Sequence, residues 1–222
     1  GMEGQSCRNL QLFERQRYGW SKAAMIRFSE VFPVSCRFER QYYCEKKNVN
    51  RYFFAYFIEA AAKLVNKHPH IQFVHAGTGA LETKFKEFAE PLGDRFHFLG
   101  LRNDIPALMA ALDLLVVPSV NEGMGRVVLE AGAAGTPAIA SDVGGLPEVV
   151  LDGKTGLIVP PKDPTAISEA IEVLIDNPDW LTQYGAAARE FVVPDFSLEN
   201  MVKHIEELYE VLILEKNLDT GR

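Results

Sequence analysis

Residues 114–140 decide the fold, and they read LLVVPSVNEGMGRVVLEAGAAGTPAIA. Residues 114–117 are an uninterrupted apolar run that stops at Pro118, which predicts a buried strand. A glycine-rich loop follows, and then a helix is predicted over 127–134 and a second apolar strand over 137–140. A strand, a helix and another apolar strand in succession are typical of a parallel β-α-β unit.

The same alternation continues on both sides of this stretch and predicts an α/β fold with a doubly wound, Rossmann-like parallel sheet. In such sheets ligands bind beyond the carboxyl ends of the strands. Asp104 is the expected N-cap of one helix. Further strands are predicted at 71–76, 95–99 and 156–159, and helices at 52–67, 81–92, 104–112, 146–151, 164–175 and 198–212.

Composition excludes several classes of protein. With 222 residues, 47% of them apolar and 24% charged, the chain resembles an ordinary soluble domain rather than collagen, a disordered segment or a disulfide scaffold. No apolar run approaches the ~18 residues of a transmembrane segment. A net charge of -7 argues against a nucleic-acid partner.

The charge is unevenly distributed, which suggests how the chain is organised. Residues 1–51 carry a net charge of +5 and residues 52–222 a net charge of -12, although a short segment can reach such a value by chance. We therefore divide the chain into an irregular basic segment, 1–30, and a sheet domain, 31–222.

The three cysteines favour a cytoplasmic location. Cys7, Cys36 and Cys44 are odd in number, and their spacing matches no zinc or redox motif. Free thiols in a reducing compartment are the simplest interpretation.

The loop after residue 117 has the residue types that bind a phosphorylated sugar. Gly123 and Gly125 let backbone amides approach a ligand closely, and the following helix offers unpaired N–H groups for a phosphate. Glu122 and Glu130 are carboxylates that can accept hydrogen bonds from hydroxyl groups, Glu130 from a ribose diol. By itself, Glu130 would more often be a solvent-facing helical residue.

Other residues allow two interpretations. His75 ends a predicted strand beside Gly77-Thr78-Gly79, where it could meet a ligand, whereas His97 in mid-strand is expected to be packed or exposed. The aromatic residues at 52–57 are expected to pack a helix, or else to form a surface for a partner.

These motifs together resemble the retaining glycosyltransferases of family 4, which are GT-B enzymes marked by a pair of glutamates. The resemblance covers about residues 47–210. The stretches that carry it are Glu122-Gly123-Met124-Gly125 with Glu130, Gly135-Thr136-Pro137, residues 141–148 and 152–161, Gly77-Thr78-Gly79 and Phe98-Leu99-Gly100.

The resemblance implies a single GT-B C-terminal domain that binds a nucleoside diphosphate sugar. Glu122 would be the catalytic residue that contacts the donor sugar, and Glu130 would hold the ribose. The resemblance also implies that Gly123, Met124 and Gly125 contact the sugar and phosphate. It implies contacts to the nucleobase and its loop from Gly77, Thr78, Gly79, Leu101 and Arg102.

The resemblance also implies an arginine and a lysine on the diphosphate, here Arg37 and Lys47, with no metal and no cofactor. The chain departs from the family pattern at this point. Cys36 replaces the usual glycine before the arginine, and Lys47 lies 10 residues after Arg37 rather than about five. Either the intervening residues loop out or the phosphate site is damaged.

We therefore expect the donor-binding half of a hexosyltransferase, which acts with retention on an unknown acceptor and needs an N-terminal domain or partner subunit. The alternative is a non-catalytic nucleotide-binding module, or a degenerate remnant that docks a partner protein. A dinucleotide-dependent dehydrogenase is poorly supported, because Gly77-Thr78-Gly79 lacks a third glycine at the required spacing.

Overall fold

The computed structural model describes residues 53–79 and 81–219, in which short strands alternate with helices. The chain order is α1 (Phe53–Leu64), β1 (Phe73–Ala76), α2 (Glu82–Ala89), a 3-10 helix (Glu90–Arg95), β2 (Phe96–Gly100), α3 (Ile105–Ala110), β3 (Leu115–Val117), α4 (Arg126–Ala134), β4 (Ala138–Ser141), α5 (Leu146–Val149), β5 (Gly156–Val159), α6 (Pro164–Asp176), α7 (Pro178–Asp195) and α8 (Leu198–Asp219).

All the strand pairs in the described residues are parallel, which confirms the predicted α/β class. β1 pairs with β2, and β4 lies between β3 and β5. Gly156 lies opposite Ala138, and a Cβ at Gly156 would stand 1.9 Å from the Ala138 carbonyl oxygen. Glycine is therefore required for β5 to pair in this register.

The aromatic residues of α1 form part of the core, as the helix-packing interpretation predicted. Phe54 and Phe57 are fully buried and pack edge-on against Phe96 of β2. Phe73 of β1 completes this aromatic cluster. Tyr52 and the side chain of Phe53 lie outside the described part of the structure.

α6 is amphipathic, as its sequence pattern predicts. Ile167, Ile171 and Leu174 are buried on one face. Its N-cap is Asp163, whose side chain accepts hydrogen bonds from the amides of Thr165 and Ala166 at 2.9 and 3.0 Å. Those bonds satisfy two of the amides that a helix start leaves unpaired.

The last two helices differ from expectation. α7 was not predicted. It packs on α4, and its Gly185 lies so close to Gly135 that a Cβ at Gly185 would stand 2.1 Å from the Gly135 carbonyl oxygen. α8 is present, but its apolar side chains face solvent, including Leu208 at 58% exposure. In the part of the chain that the structure describes, no helix is both long enough and apolar enough to cross a membrane.

Candidate functional site

The loops that follow β3 and β4 meet at the carboxyl edge of the sheet. Residues 118–125 connect β3 to α4, and residues 142–145, which we call the glycine turn, connect β4 to α5. Because β3 and β4 are parallel neighbours, both loops leave the sheet at the same edge. The edge of the sheet thus brings together two motifs that are about 20 residues apart in sequence.

The carboxylate of Glu122 is held at both of its oxygens. The amide of Gly123 donates to Oε1 at 3.2 Å, and the hydroxyl of Ser119 donates to Oε2 at 3.4 Å. Ser119 is only 4% exposed, whereas Glu122 is half-buried. A carboxylate has about four acceptor positions, so hydroxyl groups of a ligand can still bind to it.

The glycine turn packs directly against the backbone of the 118–125 loop. The amide of Gly145 donates to the Gly123 carbonyl oxygen at 2.8 Å. A Cβ at Gly144 would stand 1.8 Å from the Glu122 carbonyl oxygen, and one at Gly145 would stand 2.3 Å from that of Gly123. Both positions therefore require glycine as long as the loop keeps this conformation.

Gly125 begins α4 in the left-handed conformation, with a φ of 69°. It is buried against Leu146, and no side chain caps the first turn of the helix. A helix start of this kind carries a partial positive charge and unpaired amides, which suit an anion. Met124, just before it, is 55% exposed.

Glu130 lies in the second turn of α4. Its side chain is 39% exposed, and one of its oxygens lies 3.9 Å from Nη2 of Arg126, one turn earlier in the helix. An exposed ion pair at that distance contributes little to stability, so the carboxylate of Glu130 can exchange it for a ligand hydroxyl.

A second pair of loops meets at the ends of β1 and β2. The amide of Gly77 donates to the Gly100 carbonyl oxygen at 2.7 Å, which joins the Gly77-Thr78-Gly79 segment to the Leu101 and Arg102 segment. Thr78 and Gly79 are exposed, and Leu101 is 74% exposed. These are the residues predicted to contact the nucleobase and its loop.

Arg102 forms a two-pronged ion pair with Asp104, at 2.8 Å from Nε and 2.5 Å from Nη2. This pairing corrects the expectation for Asp104, which occupies the N-cap position of α3 but makes no capping hydrogen bond. Its carboxylate accepts from the guanidinium group instead, because a charged bidentate donor is a stronger partner than a backbone amide.

His75 does not face the ligand edge of the sheet, contrary to one of its two interpretations. It is 2% exposed and packs between Phe54 and Phe98, with ring centroids at 4.7 and 5.5 Å. Burial lowers the pKa of His75 to about 4. His97 is half-buried and paired with Gln72 at 2.8 Å, as a structural role predicts.

Some predicted residues lie outside the described structure. Arg37, Lys47 and the boundary at residue 30 fall in the first 52 residues, of which no structural description is made. Within residues 53–79 and 81–219, no group of three His, Cys, Asp or Glu side chains is placed to hold a metal ion.

Ser119 and the glycine turn were not among the predicted site residues. A buried serine after a strand carries no signal of its own in the sequence. The pair Gly144-Gly145 does carry one, because adjacent glycines at a strand end mark a close approach of two backbones, although the sequence does not show which backbone approaches.

Comparison with known proteins shows which family the chain resembles. A family model described as glycosyl transferases group 1 matches residues 46–177. EpsD of Bacillus subtilis is 37% identical over 154 residues, which cover 68% of the chain and 40% of EpsD. D-inositol 3-phosphate glycosyltransferase of Corynebacterium glutamicum is 36% identical over 148 residues, which cover 65% of the chain and 35% of that enzyme.

Two solved structures share the fold. HepE of Anabaena, determined with UDP and glucose, is 24% identical with a TM-score of 0.70, over 90% of this chain and 51% of that one. The C-terminal domain of a glycosyl transferase group 1 family protein, LpcC of Francisella tularensis, is 24% identical with a TM-score of 0.62, over 78% and 86% of the two chains. The chain thus spans about two fifths of the length of the curated relatives named above.

Proposed function

Because the chain belongs to the glycosyl transferases group 1 family, we propose that it binds a nucleoside diphosphate sugar at the 118–125 loop and α4. The observation that carries this proposal is the arrangement of two carboxylates around a helix start. Glu122 is held at the loop, Gly125 opens α4, and Glu130 stands on its second turn. Along the chain, that arrangement offers a hydroxyl acceptor before and after a helix start that suits an anion.

Each part of the donor has a proposed partner. Glu122 binds hydroxyl groups of the sugar, and the backbone of Gly123, Met124 and Gly125 lies along the sugar and the phosphates. Glu130 binds the ribose diol by the carboxylate-diol contact that nucleotide-binding folds use. The exposed residues of the two loops joined at Gly77 and Gly100 face the nucleobase.

The chemistry we propose is transfer of a hexosyl group with retention, as in glycosyltransferase family 4. The bond between the anomeric carbon and the phosphate oxygen breaks, and its electron pair leaves on the diphosphate. A hydroxyl oxygen of the acceptor forms the new bond to the anomeric carbon on the same face, and the hydroxyl proton passes to the departing diphosphate. The start of α4 stabilises the charge on the diphosphate, and Arg37 and Lys47 are the cations that we assign to it without a metal. Glu122 orients the sugar during this step.

We also propose that the acceptor is bound by a second domain or partner subunit. The curated relatives are about two and a half to three times as long as the segment that matches. The apolar side chains of α8, such as Leu208 and Tyr209 at 58% and 63% exposure, offer a surface on which such a domain can pack.

Titration calorimetry with UDP, GDP, ADP and their glucose derivatives tests donor binding. We expect one base series to bind, and UDP is the first to try because HepE was solved with it. Absence of binding to all six compounds at millimolar concentration would contradict the proposal and favour a degenerate remnant. UMP serves as a control, because it lacks the second phosphate that the start of α4 is proposed to bind.

A further inference from the structure

We propose that Ser119 and the Gly144-Gly145 turn are positioning residues that fix the carboxylate of Glu122 for the donor sugar. The inference rests on the proposed role of Glu122 as the sugar contact. It adds three residues outside the predicted site, and it assigns them an effect on the sugar rather than on the base and ribose.

Ser119 controls the direction in which the carboxylate points. Gly123 donates to Oε1 through a backbone amide that every residue except proline would keep, whereas Oε2 depends on the Ser119 hydroxyl. A glutamate side chain has several rotatable bonds, and ordering it costs up to about 2 kcal/mol. With Ser119 in place, the carboxylate is ordered before the ligand arrives, so that cost does not fall on sugar binding.

The glycine turn controls where the backbone of Glu122 lies. The Cα of Gly144 lies against the Glu122 carbonyl group, and Gly145 is hydrogen-bonded to the next carbonyl along the chain. Any side chain at Gly144 would push the peptide that carries Glu122 away from β4. The serine and the turn therefore act on the same group, one through the carboxylate and the other through the backbone.

The position of these contacts predicts a selective effect. Gly144 and Gly145 touch the 118–125 loop at Glu122 and Gly123, while Glu130 is carried by α4. Disturbing Ser119 or the turn should weaken contacts to the sugar, and contacts to the base and ribose should persist.

Dissociation constants for UDP-glucose and for UDP, measured on the full chain, test the inference. In Ser119→Ala we expect the ratio of the UDP-glucose constant to the UDP constant to rise about two-fold, the low end for one lost hydrogen bond, because the contact is long at 3.4 Å, with the UDP constant unchanged. Ser119→Thr, which keeps the hydroxyl, should retain the wild-type ratio.

The turn is tested with a matched pair of glycine variants. Gly144→Ala places a Cβ against Glu122 and Gly153→Ala places one in open space, although both residues have positive φ, 53° and 68°. Both variants should lose stability from backbone strain. Only Gly144→Ala should raise the ratio of the UDP-glucose dissociation constant to the UDP dissociation constant. If Gly144→Ala fails to fold, Gly145→Ala decides instead, because Gly145 has an ordinary φ of -85° and its Cβ would meet the 118–125 loop, at the Gly123 carbonyl group and the Cα of Met124.

A crystal structure of ligand-free Ser119→Ala provides a measurement that needs no nucleotide. We expect the Glu122 carboxylate to leave its wild-type position or to occupy more than one. An unchanged carboxylate, or an unchanged ratio in Ser119→Ala and the turn variant, would overturn the inference while leaving donor binding intact. If the wild-type chain bound neither compound of any base series, the proposed function itself would fail, and the inference would fail with it.

Discussion

At the scale of single residues, the two glutamates of the site are held by different elements, so that substitutions at the two positions should affect ligand binding differently. Glu122 is fixed by a loop, whereas Glu130 projects from a regular helix, where its ion pair with Arg126 is loose. A substitution at Glu130 can therefore remove its carboxylate without moving the loop.

We expect Glu130→Ala to weaken UDP and UDP-glucose binding equally, by about ten-fold or more, because a charged hydrogen bond contributes about 1.5–3 kcal/mol. Calorimetry on both ligands measures this. Glu169→Ala, which removes an exposed glutamate from α6, is the control and should bind both ligands normally. A Glu130→Ala variant with wild-type affinity for UDP would remove the ribose role from this residue.

His75 makes the stability of the domain depend on pH. Its pKa is lowered from 6.5 to about 4, first by burial and then by Lys86, with Glu82 acting in the opposite direction. Between pH 6.5 and 4, His75 therefore binds a proton in the unfolded chain but not in the folded chain. The contribution of neutral His75 to the free energy of unfolding is complete above pH 6.5 and is lost as the pH falls towards 4.

Near pH 4, the loss in the free energy of unfolding reaches about 3 kcal/mol, at 1.36 kcal/mol per pKa unit. We expect urea unfolding of the wild-type chain to show this loss between pH 6.5 and 4, and His75→Leu to lack it. Carboxylates that titrate in the same range affect both proteins alike, so the difference between the two curves isolates His75. His70→Gln, at an exposed histidine, should follow the wild-type curve.

At the scale of elements, strongly patterned segments could be predicted and weakly patterned ones could not. The apolar runs of β3 and β4 and the regular face of α6 were predicted within about two residues of their observed bounds. α7 was missed because its buried positions include Gly185 and Ala188, small residues that give no apolar periodicity. The solvent exposure of α8 was missed because an apolar pattern predicts that a face will be covered, but not by what.

The candidate site shows the same division. The roles of Glu122 and Glu130 stay predictions; the sequence pointed to them because Glu122 lies beside glycines after a strand and Glu130 follows on the next helix. The burial of His75 could not be predicted, since its neighbours Phe54 and Phe98 come together only in the folded chain. Neither could the contact of Ser119 with Glu122, because it depends on how the 118–125 loop turns back on itself.

The N-cap of α6 gives a prediction that concerns stability alone. Asp163→Ala removes the two capping hydrogen bonds and should lower the free energy of unfolding by about 1 kcal/mol, or ~2–4 °C in Tm for a chain of this size. Thermal unfolding measures the loss, and UDP affinity should not change. Glu169→Ala again serves as the control, because it removes the same charge from the same helix without touching the cap.

At the scale of the whole molecule, the chain matches about two fifths of the length of its curated relatives, and the described site lies in the loops that follow the strands. We expect the purified 222-residue chain to bind its donor but to release nucleoside diphosphate from it slowly or not at all, because we propose that the acceptor is bound by a second domain or partner subunit. A coupled assay for UDP release from UDP-glucose measures this.

Rapid, acceptor-dependent release by the chain alone would contradict the need for a second domain. Any residual release must disappear in Glu122→Gln if it comes from the proposed site. Release that persists in that variant would point to a contaminating enzyme or to another site.

The contact between the 118–125 loop and the glycine turn also bears on how this domain can be engineered. Two segments whose backbones touch at Gly144 and Gly145 form a single unit of design, even though β4 and α4 lie between them in sequence. A graft that imports only the loop from a relative would set a foreign backbone against a native turn. To change donor preference, residues 118–145 should be exchanged as one cassette.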